Sequence, residues 1–239
     1  MLFQGCAKIL QIDPPTNSIT TSEVFSSDIQ AVASAASIYS DLINNSDFGF
    51  ANGGLTLFTG LTGDELKLFN LYPDDDYGQF ETNSIDPDNS QIYMNLWGKP
   101  FSAIYKANAL IQGLNDYSGV TDSVKNELLG EAKFVRAFCY FYLVNIFGDV
   151  PLALTINFSE TELLQRSSST EIYKQIIADL NDAKTRLPND FSVGKGDRII
   201  PNRGAATAML ARVYLYTKDY SKAVEESSAL IDQQFRMSF

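Results

Sequence analysis

The chain has 239 residues, of which 45% are hydrophobic and 12% aromatic, enough apolar material for a substantial core in one large or two small domains. A net charge of −11, from 18 Lys and Arg against 29 Asp and Glu, repels phosphate backbones and anionic membrane surfaces, so nucleic acid is not an expected partner. Histidine is absent, which removes a Ser-His-Asp triad, a histidine base and every imidazole metal site, leaving carboxylates to carry any catalysis.

Met1 to Cys6, MLFQGC, holds neither the basic segment nor the apolar core of a complete secretory signal. Asp13-Pro14-Pro15-Thr16 predicts an extended arm over residues 1–25, because proline fixes φ and lacks a donor. A helical domain is expected over 26–239. Ser27 and Gln30, at capping-box spacing, open its first helix, whose buried stripe is Ala31, Ala35, Ile38 and Leu42 and whose end is Asn44-Asn45-Ser46-Asp47.

Residues 46–89 are rich in Gly, Asn and Asp with scattered aromatics, and read as a long irregular loop region. Connections of this length inside compact helical proteins are commonly functional, so this stretch is the candidate ligand-binding surface. Tyr72, Asp74, Tyr77, Gln79, Phe80 and Asn83 have the chemistry that suits sugars: rings for the C–H face of a pyranose, amides and carboxylates for its hydroxyls. The competing reading for each aromatic is that it tucks under the helices. Asp74-Asp75-Asp76 and Asp86-Pro87-Asp88-Asn89 lack the glycine and closing glutamate of an EF-hand loop and read as solvated turn carboxylates, so neither a metal nor any cofactor is expected.

One helix is predicted from about Ser90 through Tyr117, with Tyr93, Trp97, Phe101, Ile104, Tyr105, Asn108 and Ile111 on a broad apolar face. The spacing of Trp97 with Phe101 and Ile104 favours packing over a role as a glycan platform. The most apolar helix runs from Thr121 to Gly148, buried all round in its second half, and is too short and too interrupted by Arg136 and Asn145 to span a membrane. Arg136 within it needs a carboxylate or several carbonyls, and reads as an internal clamp. Cys139 reads as a small hydrophobe, with no disulfide to Cys6 suggested.

Ser168 with Glu171 forms another capping box, opening a helix that buries Ile172, Ile176, Leu180 and Ala183 and ends at Leu187-Pro188. After a loop to Pro201, Asn202 caps a helix through Tyr216, and Lys218-Asp219 turns into a last helix over Tyr220–Gln233. Leu210, Ala211, Tyr214 and Ala223 fall at tetratricopeptide offsets, with Thr207 where a Trp is expected. The helices then pair in order, first with second, third with fourth and fifth with sixth, giving an all-α, tetratricopeptide-like fold of about three helix pairs.

Several blocks also carry a resemblance. GEAKFVRAFCYFYLVNIFGDVPLAL, WGKPFSAIYKANALI, RSSSTEIYKQIIADLNDAKTRLP and PNRGAATAMLARVYLYTKDYSKAVEESSALID are similar, in order and spacing, to the SusD/RagB family of outer-membrane nutrient-binding lipoproteins. The resemblance covers most of the chain from about Asp86 onward. It implies a surface-exposed, lipid-anchored, non-catalytic protein that captures oligosaccharides or other nutrients beside a SusC-like TonB-dependent transporter. It also implies a fourth repeat unit, an irregular region and about twice this length, so that the chain reads as the N-terminal part of such a protein. Lipidation falls on Cys6 by the same resemblance, since AKILQIDPPTN after it is similar to the family's mature start. Phe3-Gln4 departs from the usual lipobox, LFQG also reads as a cloning remnant, and the alternative for Cys6 is an exposed thiol. A helical-repeat scaffold that binds protein without a ligand site of its own is the second reading. A two-carboxylate glycosidase finds no pair distinguished by spacing.

Overall fold

The computed structural model describes residues 20–43, 49–69, 72 and 75–232. Cys6, Asp74, most of the expected arm, the Asn44-Asn45-Ser46-Asp47 stop and the last residues of the chain lie outside them. Residues 20–25 of the expected arm form a helical turn, α1 (Thr21–Val24), closed by a capping box in which the Glu23 backbone N–H donates to Thr20 Oγ1 and the Thr20 N–H to Glu23 Oε2. The box expected at Ser27 does not pair with Gln30, whose side chain instead accepts from Ser26 Oγ at 2.7 Å. Helix α2 (Asp28–Ile43) buries Ala31, Ala35, Ile38 and Leu42, the predicted stripe. Its first residue reaches across the fold: the Thr121 N–H and hydroxyl both donate to the Asp28 carboxylate, at 2.7 and 2.9 Å.

The region read as irregular contains two helices, α3 (Gly54–Thr62) and α4 (Gly78–Glu81). Beyond it the single helix expected from Ser90 to Tyr117 is two pieces, a π-helical turn over Ile92–Gly98 and then α5 (Lys99–Asp116). Pro100 in the first turn of α5 has no N–H to donate backwards, and the wider turn accommodates that loss. Gly98 makes the turn possible, since a Cβ there would stand 2.8 Å from the Tyr93 carbonyl oxygen five residues back.

Helix α6 (Asp122–Phe147) closes at Gly148 with a positive φ of 70°. A short antiparallel pair follows, β1 (Val150–Pro151) against β2 (Arg166–Ser167), bracketing a one-turn helix α7 (Phe158–Thr161). Helices α8 (Ser169–Arg186), α9 (Arg203–Tyr216) and α10 (Tyr220–Asp232) complete the described chain, with the predicted capping box at Ser168 and Glu171 and the predicted Asn202 cap both in place. Asp149 adds to the α8 start by accepting from the Ser169 N–H and hydroxyl. The predicted pairs form: α2 packs on α5, α6 on α8 and α9 on α10, while α5 on α6 and α8 on α9 join them into one all-α helical-repeat stack. Leu210, Tyr214 and Ala223 are buried in the last seam.

Arg136 is the clamp its sequence context predicts. At 6% exposure it donates twice to Asp179, itself 3% exposed, through Nε (2.8 Å) and Nη2 (2.7 Å), and once to Asn108 Oδ1 through Nη1 (2.7 Å). Gln175 adds a donor to Asp179, and Asn108 Nδ2 donates onward to the Ala153 carbonyl at 3.0 Å. Tyr140 OH meets the same residue, accepting from its N–H at 2.7 Å and donating to its carbonyl at 3.0 Å. The guanidinium therefore links α5, α6 and α8, and the segment after β1 is tied to the same group. Cys139 beside it is fully buried, and burial pushes its thiol well above the usual range, so it behaves as a small apolar side chain.

Among the described residues, Glu131 is a buried carboxyl without a cation partner. Glu131 on α6 accepts from Tyr39 OH at 2.8 Å, and loss of solvent raises its pKa to about 7, against the lowering effect of that hydrogen bond, with Glu127 one turn away adding to the rise.

Asp179→Ala leaves Arg136 buried without its anion and is expected to cost about 3–5 kcal/mol in urea unfolding. The paired Arg136→Met, Asp179→Leu variant regains much of that, less the bond Asn108 loses; equal stability of the single and double variants would contradict the clamp. For Glu131 the folded pKa lies above the unfolded value of 4.5, so its protonated form stabilises the fold fully below about pH 4.5, and that stabilisation is lost as pH rises through about 7. The urea midpoint should fall between about pH 5 and about pH 8, and Glu131→Gln should flatten that slope.

Candidate functional site

The segment from 49 to 98 builds a small core of its own. Phe58 and Leu61 of α3, Phe80 of α4 and Leu96 of the π turn are buried together, with Leu55, Leu68, Tyr77, Ile92 and Phe147 packed against them. Phe58 carries the cluster: its ring lies 4.6 Å from that of Phe80 and stacks on Tyr77 at 5.8 Å. Glu81 anchors the chain above, accepting from the Leu68 N–H at 2.7 Å.

The candidate ligand residues divide over this core. Phe80, 2% exposed, is a central member and has no face left for a ligand, which corrects its assignment. Gln79 is also interior: its carbonyl accepts from the Asp86 N–H at 3.0 Å and from Asn89 Nδ2 at 2.8 Å, closing the turn that the Asp86–Asn89 sequence begins. Asn83 adopts a left-handed φ of 52° and donates to the Thr62 carbonyl, fastening α4 to the end of α3. Tyr77 is half-buried against Phe58, and Tyr72, 63% exposed, is the freely accessible ring of the set. Asp74 lies outside the described residues. Phe69, Tyr93 and Met94 also face solvent in this part of the chain.

Trp97 packs as its spacing predicts, 4.9 Å from Phe101 and edge-on to Phe147 at 5.0 Å, with the Arg166 guanidinium 5.3 Å from the ring centroid. Tyr93 and Tyr105, assigned above to the same apolar face, are both exposed. The π turn takes up an extra residue and rotates everything upstream, so Tyr93 no longer shares a face with Trp97. Tyr105 follows Ile104, which is buried in the core, and steps one residue around the helix from it. The buried seam of α5 is Ala103, Ile104, Ala107, Asn108 and Leu110, a signal that was legible once the bulkier Tyr105 was set aside.

The acidic runs are partly spent on local hydrogen bonds. Asp75 Oδ1 accepts from the Gly78 N–H at 2.6 Å, and Asp76 accepts from the Ser90 hydroxyl. Among the described residues no three Cys, Asp or Glu side chains converge as metal ligands. Glu131 has the raised pKa expected of a general acid, yet it is buried under Tyr39 and its carboxylate neighbour Glu127 lies on the same helix.

Residues 57–215 match the SusD-like family, described as starch-binding and associating with the outer membrane. A SusD-like protein of Formosa agariphila is 34% identical over 152 residues, covering 62% of this chain and 29% of that relative. The starch-binding protein SusD of Bacteroides thetaiotaomicron is 30% identical over 132 residues, 52% of this chain and 22% of that relative. Among solved structures, a SusD-like carbohydrate-binding protein from Bacteroides fragilis aligns with a TM-score of 0.74 at 22% identity, over 88% of this chain and 42% of that one. A laminarin-binding SusD-like protein aligns with a TM-score of 0.72 at 24% identity, over 84% and 43%. The chain thus spans less than half the length of these relatives. With one family model matched across well over half of its residues, from within α3 to within α9, the chain belongs to the SusD-like family.

Proposed function

We propose that this chain is the helical-repeat part of a non-catalytic, surface-exposed glycan-binding protein, lipid-anchored through Cys6, that hands oligosaccharides to a SusC-like TonB-dependent transporter. The family match over residues 57–215 carries the reading. The starch-binding and laminarin-binding relatives support a glucan-type ligand. Membrane association then rests on the lipid, since no described helix is long and apolar enough to cross a bilayer.

On the chain itself, the exposed Tyr72 ring, and separately Tyr77, which the Phe58 and Phe80 cluster backs, offer aromatic surface for a sugar's C–H face. Gln79 and Phe80 then act from below, as supports of that surface. A protein-binding scaffold is the second reading, favoured by Leu215, Tyr220, Val224 and Ile231, which leave the outer side of α9 and α10 apolar and open. Sugar-independent behaviour distinguishes it from the first.

In affinity gels containing laminarin or soluble starch, the chain is expected to be retarded, and Tyr72→Ala to weaken retardation by about two- to tenfold. Incubation with either glucan should release no new reducing ends; measurable turnover would refute the non-catalytic assignment. In cells, Cys6→Ser should move the protein out of the membrane fraction, and unchanged fractionation would remove the lipid anchor from the account.

A further inference from the structure

A pocket lined by none of the candidate ligand residues between Tyr72 and Asn83 has saccharide chemistry. It is a half-open cavity of about 420 Å³ between α1, α2 and α5, within the size range of small-molecule sites. Tyr105, Gln112 and Asp116 line it from α5 at positions i, i+7 and i+11, one face of the helix, and Tyr117 follows directly at the helix end. Thr21 and Ser34 face them from α1 and α2.

Two observations separate this cavity from an ordinary surface groove. The first is a fixed aromatic platform. Phe25 is buried at 4% exposure and stacks parallel to Tyr117, with centroids 5.9 Å apart and planes 7° from parallel. It reaches this position because Gly113 has no side chain: a Cβ there would lie 1.9 Å from the Phe25 ring. Tyr117 is therefore backed on one side and keeps about a third of its surface open, while Tyr105 is 56% exposed. The second is a set of uncommitted polar groups. Among the described residues the side chains of Thr21, Ser34, Tyr105, Gln112, Asp116 and Tyr117 form no hydrogen bond within the protein, so each has its full capacity available to a ligand.

We infer that this pocket is a second carbohydrate subsite, one that takes a short neutral oligosaccharide. The Tyr105 and Tyr117 rings meet its C–H faces, the Gln112 amide both donates to and accepts from its hydroxyls, and the Asp116 carboxylate accepts from them. Asp116 at the rim and the −11 net charge of the chain select against uronates and sulfated sugars. The inference rests on the carbohydrate-binding reading given above and adds to it a second location and a charge preference.

The test is saturation-transfer and two-dimensional NMR of the chain with laminaritriose and maltotriose, with a mannuronate trimer as the anionic control. Laminaritriose or maltotriose should perturb the Tyr105, Gln112 and Tyr117 resonances, and the anionic trimer should not. Tyr105→Ala and Gln112→Ala, both at exposed positions and compatible with folding, should each weaken that binding about tenfold. Neutral-sugar binding that survives both pocket variants would overturn the subsite while leaving the glycan-binding reading intact. Preference for the anionic trimer would overturn the charge argument, and absence of binding to all three probes would overturn both readings together.

Discussion

A buried guanidinium organises this molecule. An arginine inside a helix that is apolar on every side cannot remain without partners, because the penalty for an uncompensated charge there exceeds what any single packing contact returns. Arg136 meets the constraint by drawing Asp179 from α8 and Asn108 from α5 into one planar set of bonds. Each partner then has further acceptors or donors to satisfy, and these reach Gln175 and, through Asn108, the Ala153 segment that Tyr140 also holds. Ordinary helix packing tolerates small sliding, whereas a bidentate arginine–carboxylate pair does not, so the relative positions of three helices are set by directional bonds.

The consequence for function runs through α5. One face of this helix supplies Asn108 to the clamp and Ala103, Ile104, Ala107 and Leu110 to the core, while the outward face presents Tyr105 and Gln112. Its N-terminal end grows from the π turn that supplies Leu96 to the small core under Tyr77, and its C-terminal end carries Tyr117 onto Phe25. The Tyr105, Gln112 and Tyr117 surface is thus carried by a helix whose position the arginine fixes. Pre-organised rings lose little entropy when a sugar settles on them, which is how weak C–H and hydroxyl contacts sum to useful affinity. The chain has no histidine, and among the described residues the carboxyl pushed to about 7, Glu131, is buried with Tyr39 donating to it.

Features with a strong periodic or stereochemical signature were legible from sequence. The stripe of Ala31, Ala35, Ile38 and Leu42, the Ser168 and Glu171 box, the Asn202 cap and the Arg136 clamp each follow from a local rule, and the order of helix pairing followed from the tetratricopeptide offsets of Leu210, Ala211, Tyr214 and Ala223. The 46–89 region was opaque because α3 is written in glycine and threonine around Leu55, Phe58 and Leu61, so propensity contradicts the helix that tertiary packing imposes. Gln79 and Phe80 had suitable chemistry for a sugar, but side-chain direction in a one-turn helix is set by the cluster it covers and has no period to read. Tyr93 was misplaced by a π turn that Pro100 and Gly98 could have signalled together. The Tyr105 pocket escaped notice because it joins α1, α2 and α5, and no single stretch of sequence contains it.

The most direct test of a rigid, non-catalytic glycan-binding platform is the melting temperature of the chain as a function of neutral oligosaccharide concentration, since a ligand that binds only the folded state must stabilise it by mass action. The account predicts a rise in melting temperature that continues with laminaritriose or maltotriose concentration and leaves both sugars intact. A melting temperature indifferent to both sugars at millimolar concentration would contradict it.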